Sequence, residues 1–170
     1  MSQQQTHHEH SAENTRPYSH SGAQSRSYPG SQTGENNMLE PSCDKFVGTV
    51  LIVDDDPFNS EPLEAILSEN GYRVYTAANG VDGLERMDEV MPELVILDFM
   101  MPLMNGAEMG RRLRANQATQ NIPIVMNSGT SEDMVRQNFT GYDAFLRKPY
   151  RIDELLSVVS NLLKTSADRR

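Results

Sequence analysis

The chain has 170 residues, of which 37% are hydrophobic and 23% are charged, and its length suits one globular domain. Its net charge of −9, from 15 basic and 24 acidic residues, argues against direct binding to nucleic acid or to anionic lipid. A single cysteine, Cys43, excludes an intramolecular disulfide, and no cluster of cysteine and histidine has the spacing of a zinc site.

The first 45 residues are predicted to be a disordered polar tail. They contain scattered single apolar residues with no helical or alternating period, so they cannot bury enough surface to offset the entropy lost on ordering. His7, His8 and His10 could hold a metal loosely, but a solvated tail is the favoured interpretation because no second ligand pair fixes their geometry. No apolar run has the length of a signal peptide or of a membrane span, so we expect a cytoplasmic protein without membrane insertion.

From residue 46 onward, short β-branched runs alternate with segments of helical periodicity. The runs cover residues 49–53, 73–76, 94–97, 124–126 and 144–146, and three of them are almost continuously apolar, as in strands buried on both faces. The last helix shows the broadest apolar stripe, formed by Ile152, Leu155, Leu156, Val158, Val159, Leu162 and Leu163. Five βα units predict a doubly wound α/β domain with one parallel sheet over residues 46–166, followed by a short tail at 167–170.

Polar and charged residues lie directly after the predicted strands. They are Asp54, Asp55 and Asp56 after the first strand, Asp98 after the third, Ser128 after the fourth and Lys148 after the fifth. Because the carboxyl ends of parallel strands meet at one edge, we expect a common site there. Crowded carboxylates repel each other unless a cation lies among them, and an all-oxygen site suits Mg²⁺. The ammonium and the hydroxyl would complete a cradle for a phosphoryl group, with Asp98 as the candidate nucleophile.

Each of these residues, taken alone, also fits an ordinary structural role. The three consecutive aspartates could cap the next helix, because Asp-Pro is a common start signal. Asp98 and Ser128 could be turn residues, and Lys148 could be a solvated charge. Their placement together at one edge of one sheet favours a functional site.

Four sequence motifs mark the strand ends in order: VLIVDDDPFN, LVILDFMMPLMNG, PIVMNSG and GYDAFLRKPY. With these motifs, residues 49–163 resemble the receiver domain of two-component response regulators. The resemblance implies a flavodoxin-like, three-layer fold with strand order 2-1-3-4-5. It also implies a signalling phosphoacceptor, not an enzyme acting on other substrates, that takes a phosphoryl group from a sensor histidine kinase or a histidine phosphotransfer protein.

The resemblance assigns an acceptor and a metal site to particular residues. Asp98 is the implied phosphoacceptor. The resemblance implies that Mg²⁺ is bound by the acidic pair Asp54 and Asp55, of which Asp55 is favoured as the direct ligand, together with Asp98 and the backbone carbonyl of Met100. The apolar side chain of Met100 cannot orient an attacking water, so we expect slow self-dephosphorylation.

The resemblance also implies a switch. Ser128 turns toward the phosphoryl group, Phe145 is the aromatic residue whose rotamer follows it, and Lys148 pairs with a phosphoryl oxygen. The peptide bond between Lys148 and Pro149 is cis in the family. The face formed by helix four, strand five and helix five is then expected to bind a downstream protein.

Three segments depart from the family pattern. Asp56 is a third acid after strand one, which we expect to face solvent. Pro62 would lose a backbone hydrogen bond if helix one began at Pro57, whereas a start capped by Ser60 would place it in the permissive first turn. The segment between the fourth and fifth strands is short, and its helix-four sequence, SEDMVRQNFTGY, is only weakly amphipathic.

Two other functions remain compatible with parts of the sequence. A haloacid-dehalogenase-like phosphohydrolase also places acids, a hydroxyl and a lysine after parallel strands, but its first motif requires Asp-x-Asp-x-Thr and Phe58 occupies the last position. A phosphorylation-independent interaction module usually lacks one of the site residues, all of which are present here. Residues 165–170 are too few for an effector domain, so the expected output is docking to a partner or passage of the phosphoryl group to a histidine phosphotransfer protein.

Overall fold

The computed structural model describes residues 46–168, and the predicted disordered tail with its three histidines lies outside that range. Five strands alternate with five helices in the order β1 Thr49–Val53, α1 Pro57–Glu69, β2 Arg73–Ala77, α2 Gly80–Val90, β3 Leu94–Asp98, α3 Gly106–Ala115, β4 Ile124–Ser128, α4 Glu132–Asn138, β5 Ala144–Arg147 and α5 Ile152–Ala167. The helix α5 therefore includes residue 167, which the sequence had assigned to the C-terminal tail. Within residues 46–168, no helix is long and apolar enough to cross a membrane.

The five strands form one sheet in which every neighbouring pair is parallel. Their order is β2-β1-β3-β4-β5, which confirms the predicted doubly wound topology. Every residue of β3 and β4 is buried, as expected for central strands covered by helices on both faces.

Two hydrophobic cores lie on opposite faces of this sheet. One core packs alternate residues of the central strands, such as Leu97 and Met126, against α2, α3 and α4. The other packs Ile52, Ile96 and Val125 against α1 and α5. The domain thus has three layers, and strand alternation decides which face each strand residue reaches.

The start of α1 differs from the start at Ser60 that the sequence analysis considered. The helix begins at Pro57, and its N-cap residue Asp56 accepts a hydrogen bond from the Phe58 amide at 3.0 Å. Asp-Pro is the stronger start signal because the carboxylate caps a free N–H and the proline has none to satisfy. Pro62 consequently lies inside the helix, where it has no N–H to donate to the Phe58 carbonyl, and both residues are exposed.

The last two helices show how far periodicity predicts burial. Helix α4 has only seven residues and buries Val135 alone, in agreement with its weak pattern. In α5, Leu155 and Val159 are buried, but Ile152 is 54% exposed. The predicted stripe is therefore wider than the helix face that packs on the sheet.

Candidate active site

Strand alternation directs a set of polar side chains to one face of the sheet. Leu94 and Ile96 of β3 belong to the core beneath α1 and α5, so Asp98 at the end of the same strand faces that side as well. Asp54 follows β1 in the same phase as Ile52. The carboxyl ends of β1 and β3, which are neighbours in the sheet, therefore bring these two carboxylates together.

Lys148 lies between the two carboxylates. Its Nζ donates a hydrogen bond of 2.7 Å to Asp54 Oδ2 and another of 2.7 Å to Asp98 Oδ1. The side chains of Asp54 and Asp98 are 3% and 10% exposed, and that of Lys148 is 20% exposed. The backbone amide of Lys148 donates to the carbonyl of Ser128 at 2.8 Å, which ties the lysine to β4. One ammonium group thus compensates two nearly buried charges.

The pKa values of Asp98 and Lys148 depend on two opposing effects, burial and the attraction between opposite charges. Burial raises the pKa of Asp98 and outweighs the hydrogen bonds from Lys148 and from the Met100 amide, which lower it. Burial alone would lower the pKa of Lys148, but its hydrogen bonds to Asp54 and Asp98 raise the pKa above the usual lysine value. The ammonium therefore stays charged at neutral pH.

The remaining acids of the first strand end have different surroundings. Asp54 Oδ1 accepts hydrogen bonds from the Asp56 amide at 3.0 Å and from Asn59 Nδ2 at 3.3 Å. Asp55 is exposed and lines a cavity of about 530 Å³ together with Asp54. Asp56 is exposed, as predicted, and caps α1.

Met100 is the second residue of the loop that follows β3. Its backbone amide donates to Asp98 Oδ2 at 2.7 Å, so both oxygens of the Asp98 carboxylate are hydrogen-bonded. Its side chain points to solvent, since the residue is 70% exposed. The loop continues to Gly106, where an added Cβ would overlap the carbonyl oxygen of Asp98.

The donor set at this edge has the chemistry that Mg²⁺ prefers. It consists of carboxylate oxygens, which are hard ligands, beside a cavity wide enough for water. Among residues 46–168, no three side chains of His, Cys, Asp or Glu converge as a closed metal cage. Mg²⁺ is usually bound through one or two carboxylates with water and phosphate oxygens, so a preformed cage of three carboxylates is not required. The residues present therefore fit the ion.

Ser128 and Phe145 lie on the opposite side of the sheet from the central lysine. Ser128 is 1% exposed and follows Met126 in the phase that faces α2, α3 and α4. Its Oγ accepts a hydrogen bond from the Thr130 amide at 3.1 Å. The ring of Phe145 packs against that of Tyr142, with centroids 6.2 Å apart. The structure thus brings Asp54, Asp98 and Lys148 together and places the two predicted switch residues in the adjoining core.

One polar pair beside the site was not singled out from the sequence. Asn127, in register with Asp98, is 2% exposed, and its Nδ2 donates to the hydroxyl of Tyr150 at 3.3 Å. Its Oδ1 is the one buried side-chain polar atom without a hydrogen-bond partner in the described part of the chain. Burial raises the pKa of Tyr150, so its hydroxyl stays protonated at neutral pH. The sequence does offer one indication of this pair, because an amide side chain at the end of the apolar strand segment IVMN is unusual and suggests a buried polar contact.

Comparisons with known proteins identify the relatives of this fold and site. Residues 50–160 match the family described as the response regulator receiver domain. The response regulator Rre1 of Synechocystis is 37% identical over 118 residues, which are 68% of this chain and 51% of that protein. The chain spans about half the length of the first three curated relatives it matches.

Two solved structures extend the comparison to three dimensions. The receiver domain of a signal transduction histidine kinase from Syntrophus aciditrophicus has a TM-score of 0.65 and 34% identity, covering 69% of this chain and 91% of that one. The receiver domain of a sensor histidine kinase from Pseudomonas aeruginosa, described with a magnesium ion in its active-site cleft, has a TM-score of 0.65 and 25% identity, covering 69% and 98%. These likenesses are to receivers and not to haloacid-dehalogenase-like hydrolases, so the hydrolase alternative is wrong. The chain belongs to the response regulator receiver domain family.

Proposed function

We propose that this protein is a signalling phosphoacceptor in which Asp98 receives a phosphoryl group from a histidine kinase or a histidine phosphotransfer protein. The observation that carries the proposal is the position of the Lys148 ammonium, which contacts both Asp54 and Asp98 at 2.7 Å. The ammonium lies where negative charge would accumulate during transfer to Asp98. Electrostatic stabilisation of that kind is the main requirement of phosphoryl transfer.

The transfer itself follows from the charges at the site. An oxygen of the Asp98 carboxylate forms a bond to phosphorus, while the bond to the donor nitrogen or oxygen breaks and the leaving group keeps the electron pair. Because nucleophile and phosphoryl group are both anionic, Lys148 shields their repulsion by pairing with a phosphoryl oxygen. Bound Mg²⁺, for which Asp54, Asp55, Asp98 and the Met100 carbonyl are the proposed ligands, supplies further positive charge toward phosphoryl oxygens.

The residues proposed to respond to phosphorylation lie on the other side of the sheet from Lys148. Ser128 and Phe145 are the proposed switch residues, and Phe145 packs on Tyr142, whose hydroxyl donates to Glu132 of α4 at 3.0 Å. A change at Phe145 would therefore reach the short helix α4 through side chains in contact, and Ser128 is joined by a hydrogen bond to Thr130 in the loop before that helix. We assign the face of α4, β5 and α5 to a downstream protein partner, with no direct nucleic-acid binding. A cytoplasmic location stays a prediction.

The lifetime of the phosphorylated form depends on water near Asp98. Met100 projects an apolar, 70% exposed side chain next to the acceptor, and a thioether neither activates nor orients water. Slow self-dephosphorylation is therefore part of the proposal.

The test uses acetyl phosphate and Mg²⁺ with intact-mass analysis of the protein. Wild type is expected to gain one phosphoryl group, and the Asp98→Asn variant is expected to gain none. Asp88→Asn, at an exposed position of α2, is the matched control and should be labelled like wild type. An adduct that survived Asp98→Asn would refute the acceptor assignment. A wild type that remained unmodified with both acetyl phosphate and a kinase would favour a phosphorylation-independent interaction module.

A further inference from the structure

We propose that Asn127 and Tyr150 form a positioning pair that holds Lys148 against the phosphoacceptor. This inference rests on the proposed function of Asp98 and adds two residues to it. Neither residue touches the phosphoryl group in this proposal, so both act through the lysine.

The first step is the position of Asn127. It pairs in register with Asp98 on β3 and with Leu146 on β5, so its side chain faces the same side of the sheet as the acceptor. The same alternation carries the residue two positions beyond Leu146, which is Lys148, to that side. Asn127 thus lies between the acceptor strand and the strand that delivers the lysine.

The second step is the way the chain around Lys148 is fixed to β4. At the backbone of Lys148 itself, the amide donates a hydrogen bond of 2.8 Å to the Ser128 carbonyl. Two residues later, the Tyr150 hydroxyl accepts from Asn127 Nδ2 at 3.3 Å. Consecutive residues of β4 therefore hold the lysine segment on both sides, in a loop that otherwise ends only at the start of α5.

The third step is the electrostatic proximity of this pair to the site. Burial raises the pKa of Tyr150, and the charges of Lys148, Asp54 and Asp98 are near enough to modify that pKa. Tyr150 also lines a cavity of about 560 Å³ with Lys148, so the loop has open space on one side into which it could move. A bond from the ring to β4 limits that movement.

The fourth step is the unpaired amide oxygen of Asn127. A buried polar atom without a partner disfavours folding, so the Oδ1 atom of Asn127 gives no stability that would by itself explain an amide at this position. If the Asn127 amide rotated by 180°, its Oδ1 would accept a hydrogen bond from the Tyr150 hydroxyl. The two side chains can therefore be hydrogen-bonded with either residue as the donor. Positioning of Lys148 gives the amide a role that packing does not.

The experiment compares the rate of adduct formation with acetyl phosphate and Mg²⁺ in full-length variants. Tyr150→Phe removes one oxygen, and Asn127→Leu replaces the amide with an apolar side chain of the same branching and the same number of heavy atoms. Each should slow labelling about fivefold, the factor that corresponds to one ordinary hydrogen bond. Tyr72→Phe, which alters another buried tyrosine on the same side of the sheet, should leave the rate unchanged.

Two further measurements separate positioning from general loosening of the fold. The double variant should be no slower than the slower single variant, because both changes break the same contact. In a Lys148→Met background, Tyr150→Phe should have no additional effect. The double variant leaves neither polar partner behind, so its urea midpoint should fall by less than the sum of the two single variants although its labelling stays slow.

The outcomes distinguish this inference from the proposed function. If wild type is labelled at Asp98 and both single variants react within twofold of wild type, the positioning pair is wrong and the acceptor stands. Slow labelling that parallels a loss of stability, or that persists undiminished without Lys148, also overturns the pair. If Asp98→Asn is labelled like wild type, the proposed function fails and this inference fails with it.

Discussion

Replacing Lys148 with methionine tests the charge balance on which the site depends. The substitution keeps an unbranched side chain that is one atom shorter and removes the ammonium that contacts Asp54 and Asp98 at 2.7 Å. Two carboxylates, 3% and 10% exposed, are then left without their shared cation. We expect the variant to be less stable than wild type at neutral pH in the absence of Mg²⁺.

The magnitude follows from the burial of the three groups. Removing one partner of a buried ion pair usually destabilises a protein by about 3–5 kcal/mol. The lower end, about 3 kcal/mol, applies here because Lys148 is 20% exposed and water partly screens the pair. For a domain of this size, that loss corresponds to a decrease of about 12 °C in Tm.

The stability difference between Lys148→Met and wild type should also depend on pH, in a direction set by the pKa of Asp98. The pKa of Asp98 is raised by burial, while its contacts with Lys148 lower it, so Lys148→Met should raise it further. An acid whose pKa is raised by folding contributes stability that is complete below its unfolded pKa and is lost as the pH rises through its folded pKa. The deficit of the variant should therefore shrink as the pH falls from neutral toward about pH 4.

The assay is urea unfolding followed by far-ultraviolet circular dichroism, since the chain has no tryptophan. Lys164→Met, which removes an exposed lysine of α5, is the matched control and should unfold like wild type. Equal stability of Lys148→Met and wild type at neutral pH, with the same pH profile, would refute the argument that this ammonium compensates the two carboxylates.

Four further predictions address the surroundings of the site. Asp98→Asn should raise the urea midpoint at neutral pH, because the raised pKa of Asp98 shows that its charged form is unfavourable in the folded protein. Wild type should lose stability as the pH rises from about pH 4, and the variant should not show this loss. An unchanged pH profile would contradict this. Gly106→Ala should destabilise the domain by about 1–3 kcal/mol and slow labelling, since its Cβ would overlap the Asp98 carbonyl, and a normal labelling rate would argue against it. Arg114→Met should lose about 2 kcal/mol in urea unfolding, because the guanidinium donates to three backbone carbonyls and to Asp143, yet it should label at the wild-type rate. Met100→Asn should lose its phosphoryl group faster than wild type in a decay followed by intact mass, and an equal or slower decay would count against the role of the apolar side chain.

The positions of the strands, and the edge of the sheet at which the site lies, could be predicted because both depend on short stretches of sequence. Buried parallel strands are continuously apolar, and chemistry in such sheets gathers at the carboxyl ends of strands. The strand order and the roles of Asp98 and Lys148 came from family motifs. Alternation along β4 could also have indicated that Ser128 and Asp98 face opposite sides of the sheet.

Other features depend on tertiary contacts that a single sequence does not display. The position of the Lys148 ammonium between two carboxylates requires the register of β5 on β4. The contact between Asn127 and Tyr150 joins a strand to a loop 23 residues later. The start of α1 at Pro57 was open because two candidate N-cap residues, Asp56 and Ser60, lie four residues apart, and Asp56 is the one that caps the helix.

The central claim is that Asp98 is the residue that carries the phosphoryl group. The most direct measurement is to phosphorylate wild type with acetyl phosphate and Mg²⁺, reduce the acyl phosphate with borohydride, and map the product by peptide mass spectrometry. Reduction converts a phosphorylated aspartate into homoserine, so the modified position is recorded permanently. The account predicts homoserine at position 98 and nowhere else. Homoserine at position 54, or at any aspartate other than 98, would contradict it.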